Sequence, residues 1–309
     1  MIQPRRHSPL RLAAFRLAAR VAQLAGGRRF YRWRYLSGDR LVVRHERVEL
    51  GGSATSDPTT RRLLRIVQVS DVHGGPFVGP GDLADLIDAV EGLSPDVVAV
   101  TGDFVADTTD ELPRVADDLA RLDAPLGVFA VFGNHDYKDR REPEIVRAFP
   151  RWRFLRNECV ALEGPTGARI GIAGIEDIEE GRPADVERAT GLALQGADVL
   201  VALSHGPEAA PAFAARGFDL VMSGHSHGTQ IDLPFLRRLG PAHPGLVVAL
   251  GRTRLVVSRG VGPIGVPVRV RAPAEIVCVD IVGSVSQDRG PCRDVSASTP
   301  ACSTSDVTR

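Results

Sequence analysis

The sequence lacks several features that would each have indicated a particular class of protein. Its four cysteines have no clustered spacing, which excludes a disulfide scaffold and favours a reducing compartment. No stretch approaches the roughly 20 apolar residues that span a bilayer, and no repeat of fixed period is visible. The 38 basic and 38 acidic residues balance, and the 43% hydrophobic content is enough to bury one large α/β core.

Acidic residues are missing altogether from residues 1–34, which contain nine arginines. A helix is predicted over residues 9–25, with apolar side chains on one side at Leu10, Ala14, Leu17, Val21 and Leu24. Two interpretations stay open for this leader, residues 1–36. It is an interfacial helix with aromatic anchors on an anionic membrane surface, or a basic helix that packs on its own domain or stays disordered.

The leader does not have the composition of an export signal. Arg11, Arg16 and Arg20 interrupt the apolar region that such a signal needs. We therefore expect a cytoplasmic protein, with the inner face of the membrane as the place where the leader would attach.

The chain after residue 283 also differs from the middle. It is rich in Ser, Thr, Asp, Arg and Pro, so it buries too little surface to offset ordering entropy, and the tail 284–309 is predicted to be disordered. Cys292 and Cys302 are then ordinary residues of a flexible segment, whereas Cys159 and Cys278 fall in strand patterns as small core residues. The main domain is expected over residues 37–283.

Five short polar motifs follow apolar runs in the middle of the chain. They are Asp71-Val72-His73, Gly102-Asp103, Gly133-Asn134-His135-Asp136, Ser204-His205-Gly206 and Gly224-His225-Ser226-His227. Each run is typical of a buried strand, and helical patterns lie between the runs, which predicts β-α-β units and a largely parallel core sheet. Ligands of such sheets gather at the carboxyl ends of the strands, so the motifs should converge.

Helices and further strands are predicted around these motifs. The helical patterns span residues 81–93, 110–122, 140–149, 183–194 and 207–216. Short strands are expected over 152–156, 159–162 and 169–175, and a run of strands without helices follows over 246–250, 253–258, 266–270 and 275–282. This last run favours antiparallel or mixed structure.

The motif residues have the chemistry of metal ligands. Carboxylate, amide and imidazole groups suit Mn, Fe or Zn, and the motifs contain no cysteine of the kind that structural zinc sites prefer. Taken singly, each motif has an ordinary interpretation: Asp-x-His arises by chance, Gly-Asp forms a turn, and Asn134 or Asp136 caps a helix. Five of the eight histidines lie inside the motifs, however, and the combination indicates a two-metal site.

The order of these motifs closely resembles the calcineurin-like metallophosphoesterase superfamily, over about residues 62–283. Val257-Ser258-Arg259-Gly260 and Pro273-Ala274-Glu275-Ile276 extend the resemblance to a bacterial branch of predicted membrane-associated phosphodiesterases, similar to UDP-2,3-diacylglucosamine hydrolases. Two segments differ from that branch: Gly228-Thr229-Gln230 stands where Gly-Gly-Gln is usual, and Gly74-Gly75 stands where Leu-Gly is usual. The ligands are intact, so the differences concern substrate contacts.

The resemblance implies a fold and a ligand set. The fold would be a four-layer α-β-β-α sandwich of two facing mixed sheets, with two divalent metal ions (Mn, Fe or Zn) at the carboxyl ends of the core strands. One metal would be held by Asp71, His73 and His227 and the other by Asn134, His205 and His225, with Asp103 bridging. A hydroxide shared by the metals would attack phosphorus, and His135, held in one tautomer by Asp136, would assist the leaving group.

The expected reaction is therefore hydrolysis of a phosphodiester or pyrophosphate bond, with a lipid-linked or nucleotide-sugar-lipid substrate as one form. The alternatives are a nuclease or phosphomonoesterase using the same site, or a non-catalytic module. Asp103 and His135 are both present, which favours catalysis. Beyond residue 50 the chain has 26 basic and 35 acidic residues, so no nucleic-acid partner is expected. The sequence does not indicate an oligomeric state.

Overall fold

The computed structural model describes residues 9–50, 61–191, 195–233 and 245–283, with side chains from Leu17 onward. The predictions for residues 1–8 and for the tail 284–309, with Cys292 and Cys302, lie outside the described residues. Cys159 and Cys278 are both free; Cys278 is buried and Cys159 is half-buried.

The described chain forms two six-stranded sheets flanked by short helices. The strands are β1 Val42–Glu49, β2 Arg61–Val69, β3 Val97–Thr101, β4 Val128–Val131, β5 Arg153–Phe154, β6 Glu158–Glu163, β7 Arg169–Gly174, β8 Val199–Leu203, β9 Leu220–Ser223, β10 Val247–Leu250, β11 Thr253–Val257 and β12 Glu275–Gly283. The α-helices are α1 Pro9–Leu24, α2 Gly27–Tyr31, α3 Ala84–Gly92, α4 Ala116–Leu119, α5 Glu142–Ala148, α6 Val186–Ala189 and α7 Ala210–Ala214.

Both sheets are mixed. The first has the order β1-β12-β2-β3-β4-β5, with β2 to β5 parallel and β12 antiparallel to β2. The second has the order β10-β11-β9-β8-β7-β6, in which β11, β9, β8 and β7 are parallel and the two edge strands are antiparallel to their neighbours. The parallel strands that carry the motifs are central in each sheet.

Alternation along the strands produces the layers. Successive side chains of a strand point to opposite faces of its sheet. Ile66 of β2 belongs to a hydrophobic cluster that also contains Val201 of β8 in the other sheet. The next residue, Val67, belongs to a second cluster that contains Ile87 of α3. On the outer face of the second sheet, a third cluster contains Phe213 of α7. The predicted four-layer sandwich of two facing mixed sheets is therefore confirmed.

Some predicted elements differ from the structure. The helical pattern over 110–122 is divided into a 3₁₀ helix, Thr109–Arg114, and α4, with Pro113 near the break. The strand predicted over 266–270 is irregular apart from a single bridge between Ile231 and Val270, because Pro267 has no N–H to offer a neighbouring strand.

The leader is partly integrated into the domain. After α1 and α2, a π-helical turn, Arg32–Leu36, completes a segment in which Tyr31, Tyr35 and Leu36 are buried in the first cluster. The Arg28 side chain donates a 2.6 Å hydrogen bond to Asp82. Among the described residues, no helix combines the length and the apolar sequence that a membrane span requires.

Candidate metal centre

The predicted ligands converge where five parallel strands end. β2, β3 and β4 of the first sheet and β8 and β9 of the second deliver their motifs to one edge of the sandwich. The structure brings together all seven predicted ligands, with His135 beside them: Asp71, His73, Asp103, Asn134, His205, His225 and His227. Strands from both sheets are thus needed to form the site.

Two groups of side chains can be distinguished. In the first, Nε2 of His227 lies 3.0 Å from Nε2 of His73 and 3.3 Å from Oδ1 of Asp71. In the second, Nε2 of His205 lies 3.2 Å from both Oδ1 of Asn134 and Nδ1 of His225. Each group holds side chains of one ligand set that the resemblance implies, and the groups adjoin, since ligand atoms of Asp71, Asp103 and His205 also lie within 4.8 Å of one another.

Asp103 lies between the two groups. Its Oδ2 is 3.4 Å from Nε2 of His73 and 3.4 Å from Nε2 of His205. Its Oδ1 accepts a 2.9 Å hydrogen bond from the backbone N–H of His135. One carboxylate oxygen therefore faces both groups while the other is fixed by the backbone.

The charges of the site suit divalent cations. Burial alone would raise the pKa values of Asp71 and Asp103, but neighbouring histidines outweigh it and hold both pKa values well below the usual range. Burial would lower the pKa of His205, yet Asp103 raises it well above its ordinary value. The two buried carboxylates thus attract positive charge, which metal ions supply more effectively than a protonated histidine.

The histidine geometry also fits metal ions. Two Nε2 atoms, those of His73 and His227, face each other at 3.0 Å inside a buried site. Burial lowers the pKa of both rings, so both favour the neutral form, which is the form that binds metals. Ligand atoms of Asp71, His73 and His227 all lie within 4.8 Å of one another, and they fit a divalent ion.

Five of the candidate ligands have a left-handed backbone, which is uncommon for residues other than glycine. Their φ angles are +52° for Asp71, +46° for His73, +57° for Asp103, +66° for His225 and +51° for His227. Each such residue costs on the order of 1–3 kcal/mol and persists only where its surroundings fix it. This concentration at one edge of the sandwich is an independent indication of a functional site, which the sequence does not reveal.

Glycines allow the carboxylates to approach the backbone. A Cβ atom on Gly224 would lie 2.3 Å from Oδ2 of Asp71, and one on Gly133 would lie 2.2 Å from Oδ1 of Asp103. Both distances are too short for any real side chain, so the glycine of each motif is needed next to its acidic partner.

The predicted partnership between Asp136 and the His135 ring needs correction. The Asp136 carboxylate accepts hydrogen bonds from the backbone N–H groups of Gly133, Asp103 and Phe104 at 2.8–2.9 Å, because a 3₁₀ turn, Asn134–Tyr137, directs it back to the chain. Burial and the charge of Asp103 raise its pKa to about 8. Asp136 therefore joins the β3 and β4 loops, and Nδ1 of His135 instead contacts the carbonyl of Ala106.

Sequence reasoning missed Lys138, which follows the third motif closely. Its Nζ lies 2.8 Å from Nδ1 and 3.3 Å from Nε2 of His135. Burial lowers the pKa of His135 to about 4, and the Lys138 charge acts in the same direction, so the ring is neutral at pH 7. Lys138 thus places an ammonium group beside the ring. The sequence signal for Lys138 is its spacing: it follows His135 by three residues, at the end of the 3₁₀ turn.

Comparison with known proteins gives consistent results. The family model described as calcineurin-like phosphoesterase matches residues 64–229. The chain is 31% identical over 233 residues to an uncharacterized metallophosphoesterase of Campylobacter jejuni, covering 73% of this chain and 61% of that protein. It is 32% identical over 237 residues to a Danio rerio protein named transmembrane protein with metallophosphoesterase domain, covering 71% of this chain and 53% of that protein.

A third relative is matched over more of its own length. The uncharacterized metallophosphoesterase YkuE of Bacillus subtilis is 31% identical over 222 residues, which cover 69% of this chain and 77% of that protein. For the first two relatives, by contrast, the match spans less than two thirds of their length. The matched family segment contains all the residues of the candidate centre.

Proposed function

The chain belongs to the calcineurin-like phosphoesterase family, and from its site we propose that it hydrolyses a phosphodiester or pyrophosphate bond with two divalent metal ions. Asp71, His73 and His227 would hold one ion. Asn134, His205 and His225 would hold the other, and Asp103 would bridge. The position of Oδ2 of Asp103, 3.4 Å from one histidine of each group, is the observation that carries this proposal.

The ions, when bound, would polarise the phosphate oxygens and lower the pKa of water from about 15.7 towards 7. The protein's own residues have separate tasks. His135 stands beside His73, with ring centroids 4.7 Å apart. The neutral ring keeps its one proton on Nδ1, towards the carbonyl of Ala106, so it can donate a hydrogen bond to the leaving oxygen once Nε2 has taken up a second proton. Lys138 next to it offers a positive charge to an anionic substrate, and the negative charge of that substrate in turn favours a proton on His135.

The choice of metal follows from the ligands. Four imidazoles and one amide among seven ligands favour Mn, Fe or Zn over the hard, oxygen-seeking Mg ion. The excess of acidic residues beyond residue 50 disfavours a polyanionic nucleic acid and favours a small or lipid-headgroup substrate.

A hydrolysis panel on stripped and reloaded protein tests the proposal. It contains a bis-aryl phosphodiester, an aryl phosphomonoester, a nucleotide-sugar pyrophosphate lipid and single-stranded DNA, each with Mn, Fe, Zn or Mg. We expect turnover of the diester or the pyrophosphate with the first three metals and little with Mg. A metal-loaded protein that hydrolyses none of the four would be a binding module, and preference for DNA would make it a nuclease.

We further propose that the leader attaches the enzyme to an anionic membrane surface, because its packing on the domain leaves the apolar stripe uncovered. The exposed fractions are 65% for Leu17, 59% for Val21 and 89% for Leu24, so the described part of the apolar stripe faces outward. The opposite side of the helix packs on the core through Ala19 and Ala22.

Charge and aromatic residues support the same attachment. Trp33 is 56% exposed and Phe30 is 43% exposed, close to the exposed Arg29 and Arg34. Each arginine near an anionic surface contributes about 1 kcal/mol, and salt weakens this attraction as the Debye length shrinks below about 10 Å at 0.1 M. An exposed apolar face flanked by basic residues is typical of an interfacial helix.

Replacing Leu17, Val21 and Leu24 together with glutamine should therefore release the protein from anionic vesicles. Each apolar side chain that enters the interface contributes on the order of 1.5 kcal/mol, so the partition coefficient should fall at least tenfold. The measurement is co-sedimentation with anionic and neutral vesicles at two salt concentrations. A control with glutamine at the exposed Val146 and Val247 should bind like the wild type; equal binding of all three proteins would contradict the attachment.

A further inference from the structure

Lys138 is the one lysine of the chain. Of the 38 lysine and arginine residues, the other 37 are arginines. The exception lies beside the candidate metal centre, at the end of the 3₁₀ turn that carries the third motif. An ammonium is a compact point charge with three rotatable donors, and it is a common binder of phosphate, whereas a guanidinium is a rigid planar fork. The chain therefore has its one compact cation next to the site.

The contacts of Lys138 with its neighbours in the third motif and in the preceding loop are long. Nζ lies 3.3 Å from Nε2 of His135 and 3.4 Å from the carbonyl oxygen of Ala106, whereas hydrogen bonds of a charged donor are typically about 2.7–2.9 Å. Nδ1 of His135 is closer, at 2.8 Å, but its proton faces the same carbonyl, so it does not accept from the ammonium. A phosphate oxygen would be a stronger acceptor than these neutral groups.

The charge of Lys138 is also only weakly balanced by its ion pair with Asp107. That pair spans 4.0 Å, whereas Arg141, three residues later, pairs with Asp110 at 2.5 Å and with Glu144 at 2.7 Å. A long pair between partly exposed groups contributes little to stability. The Lys138 side chain is 35% exposed, so the ammonium can turn towards an anion at the site.

The position of Lys138 relates it to the leaving group. The scissile phosphate would lie on the metal ions, and His135, which stands against the His73 ring, would assist the leaving oxygen. Because Lys138 contacts His135, its ammonium lies on the same side. A neutral alcohol that leaves from a phosphodiester carries no charge for Lys138 to bind. In a pyrophosphate, by contrast, the leaving oxygen belongs to a second phosphate, which is an anion throughout the reaction.

We propose that Lys138 is a specificity-determining residue that binds the phosphate of the leaving group, so that the enzyme prefers a pyrophosphate bond to a phosphodiester with a neutral leaving group. The oxygen of water joins the scissile phosphorus, and the bond from that phosphorus to the bridging oxygen breaks. The bridging oxygen leaves with the second phosphate, and one proton of the water goes to each product. The inference rests on the proposed function, since His135 marks the leaving-group side.

The first test compares two ligands that are not hydrolysed, methylenediphosphonate and methylphosphonate, which differ by one phosphonate group. Their dissociation constants are measured by calorimetry on the Mn-loaded full-length protein. Lys138→Met should weaken binding of methylenediphosphonate by about 10–100-fold, the range for loss of a hydrogen bond to a charged group, and should change binding of methylphosphonate little. Lys138→Arg keeps the charge but not its compact shape, so its loss should be smaller.

Arg140→Met is the matched control. Arg140 lies two residues after Lys138, and its side chain contacts Glu180. This variant removes the same amount of charge from the same segment and should keep both affinities. An unchanged affinity for methylenediphosphonate in Lys138→Met, or an equal loss in Arg140→Met, would overturn the inference.

A second measurement needs no substitution, because an amine reagent has one lysine to react with. Acetylation of Lys138 is followed by mass spectrometry, with the α-amino group as the internal reference. Methylenediphosphonate at about ten times its dissociation constant should slow acetylation of Lys138 about tenfold, since about one site in eleven stays free. Acetylation at the rate of the ligand-free protein would contradict the inference. Protection of Lys138 in a protein that hydrolyses no phosphoester would contradict the proposed function alone.

Discussion

Asp103→Asn is expected to disrupt both metal positions and to lower turnover of the preferred substrate by about 10³-fold or more. Oδ2 of Asp103 faces His73 and His205 at equal distance, and it brings negative charge to a place where two cations repel each other. An amide has no net charge to offset this repulsion. Metal catalysis is worth several kcal/mol, and each 1.36 kcal/mol is a factor of ten in rate.

Two measurements check this prediction: the metal content per chain, by mass spectrometry after dialysis, and the turnover of the substrate. Asp219→Asn is the matched control, because Asp219 is also a buried acid but accepts from the backbone of Leu200 and pairs with Arg252, away from the motif loops. The control should retain both metals. Two tightly bound metals and normal turnover in Asp103→Asn would show that Asp103 does not bridge.

His135→Ala is expected to lower turnover by roughly 10²–10⁴-fold, the range for loss of a positioned acid, while metal content stays near that of the wild type. The substitution removes the ring but keeps the backbone N–H that donates to Oδ1 of Asp103. The carboxylate between the two metals should therefore keep its orientation. His45→Ala, at an exposed histidine of β1, is the control and should leave both quantities unchanged.

This variant also distinguishes two roles for His135. The ligand atoms of His73, Asp103 and His135 all lie within 4.8 Å of one another. His135 could therefore be a metal ligand on distance alone. A metal content reduced by half in His135→Ala would assign it to the ligands. Unchanged metal content with slow turnover would assign it to the reacting phosphoester.

The position of the site could be predicted from the sequence because its signals are local. Each motif directly follows a strand with a clear apolar pattern, and parallel strands bring such ends to one edge. β1 was missed because its sequence, Val-Val-Arg-His-Glu-Arg-Val-Glu, carries the charges of an edge strand and has no clear alternation. The role of Asp136 was also mistaken, since it depends on the 3₁₀ turn that points its carboxylate at backbone amides.

The contacts between the leader and the domain could not be predicted because they join distant parts of the chain. Nε of Arg269 donates a 2.7 Å hydrogen bond to the hydroxyl of Tyr31, 238 residues earlier in the chain, and neither residue belongs to a motif. The sequence predicts the apolar stripe of α1, but not which side of the helix packs on the domain. That side is set by the contacts of Ala19 and Ala22 with the core. The leader therefore contacts the domain through Tyr31 and Tyr35, although the composition of the chain predicts a domain boundary at residue 36.

The most direct test of the two-metal centre is anomalous X-ray diffraction from crystals of the Mn-loaded protein. We predict two peaks about 3.5–4 Å apart, with Asp103 in contact with both. One peak should lie among Asp71, His73 and His227, and the other among Asn134, His205 and His225. A single peak, or no peak among these side chains at saturating Mn, would contradict the two-metal centre on which the proposed reaction depends.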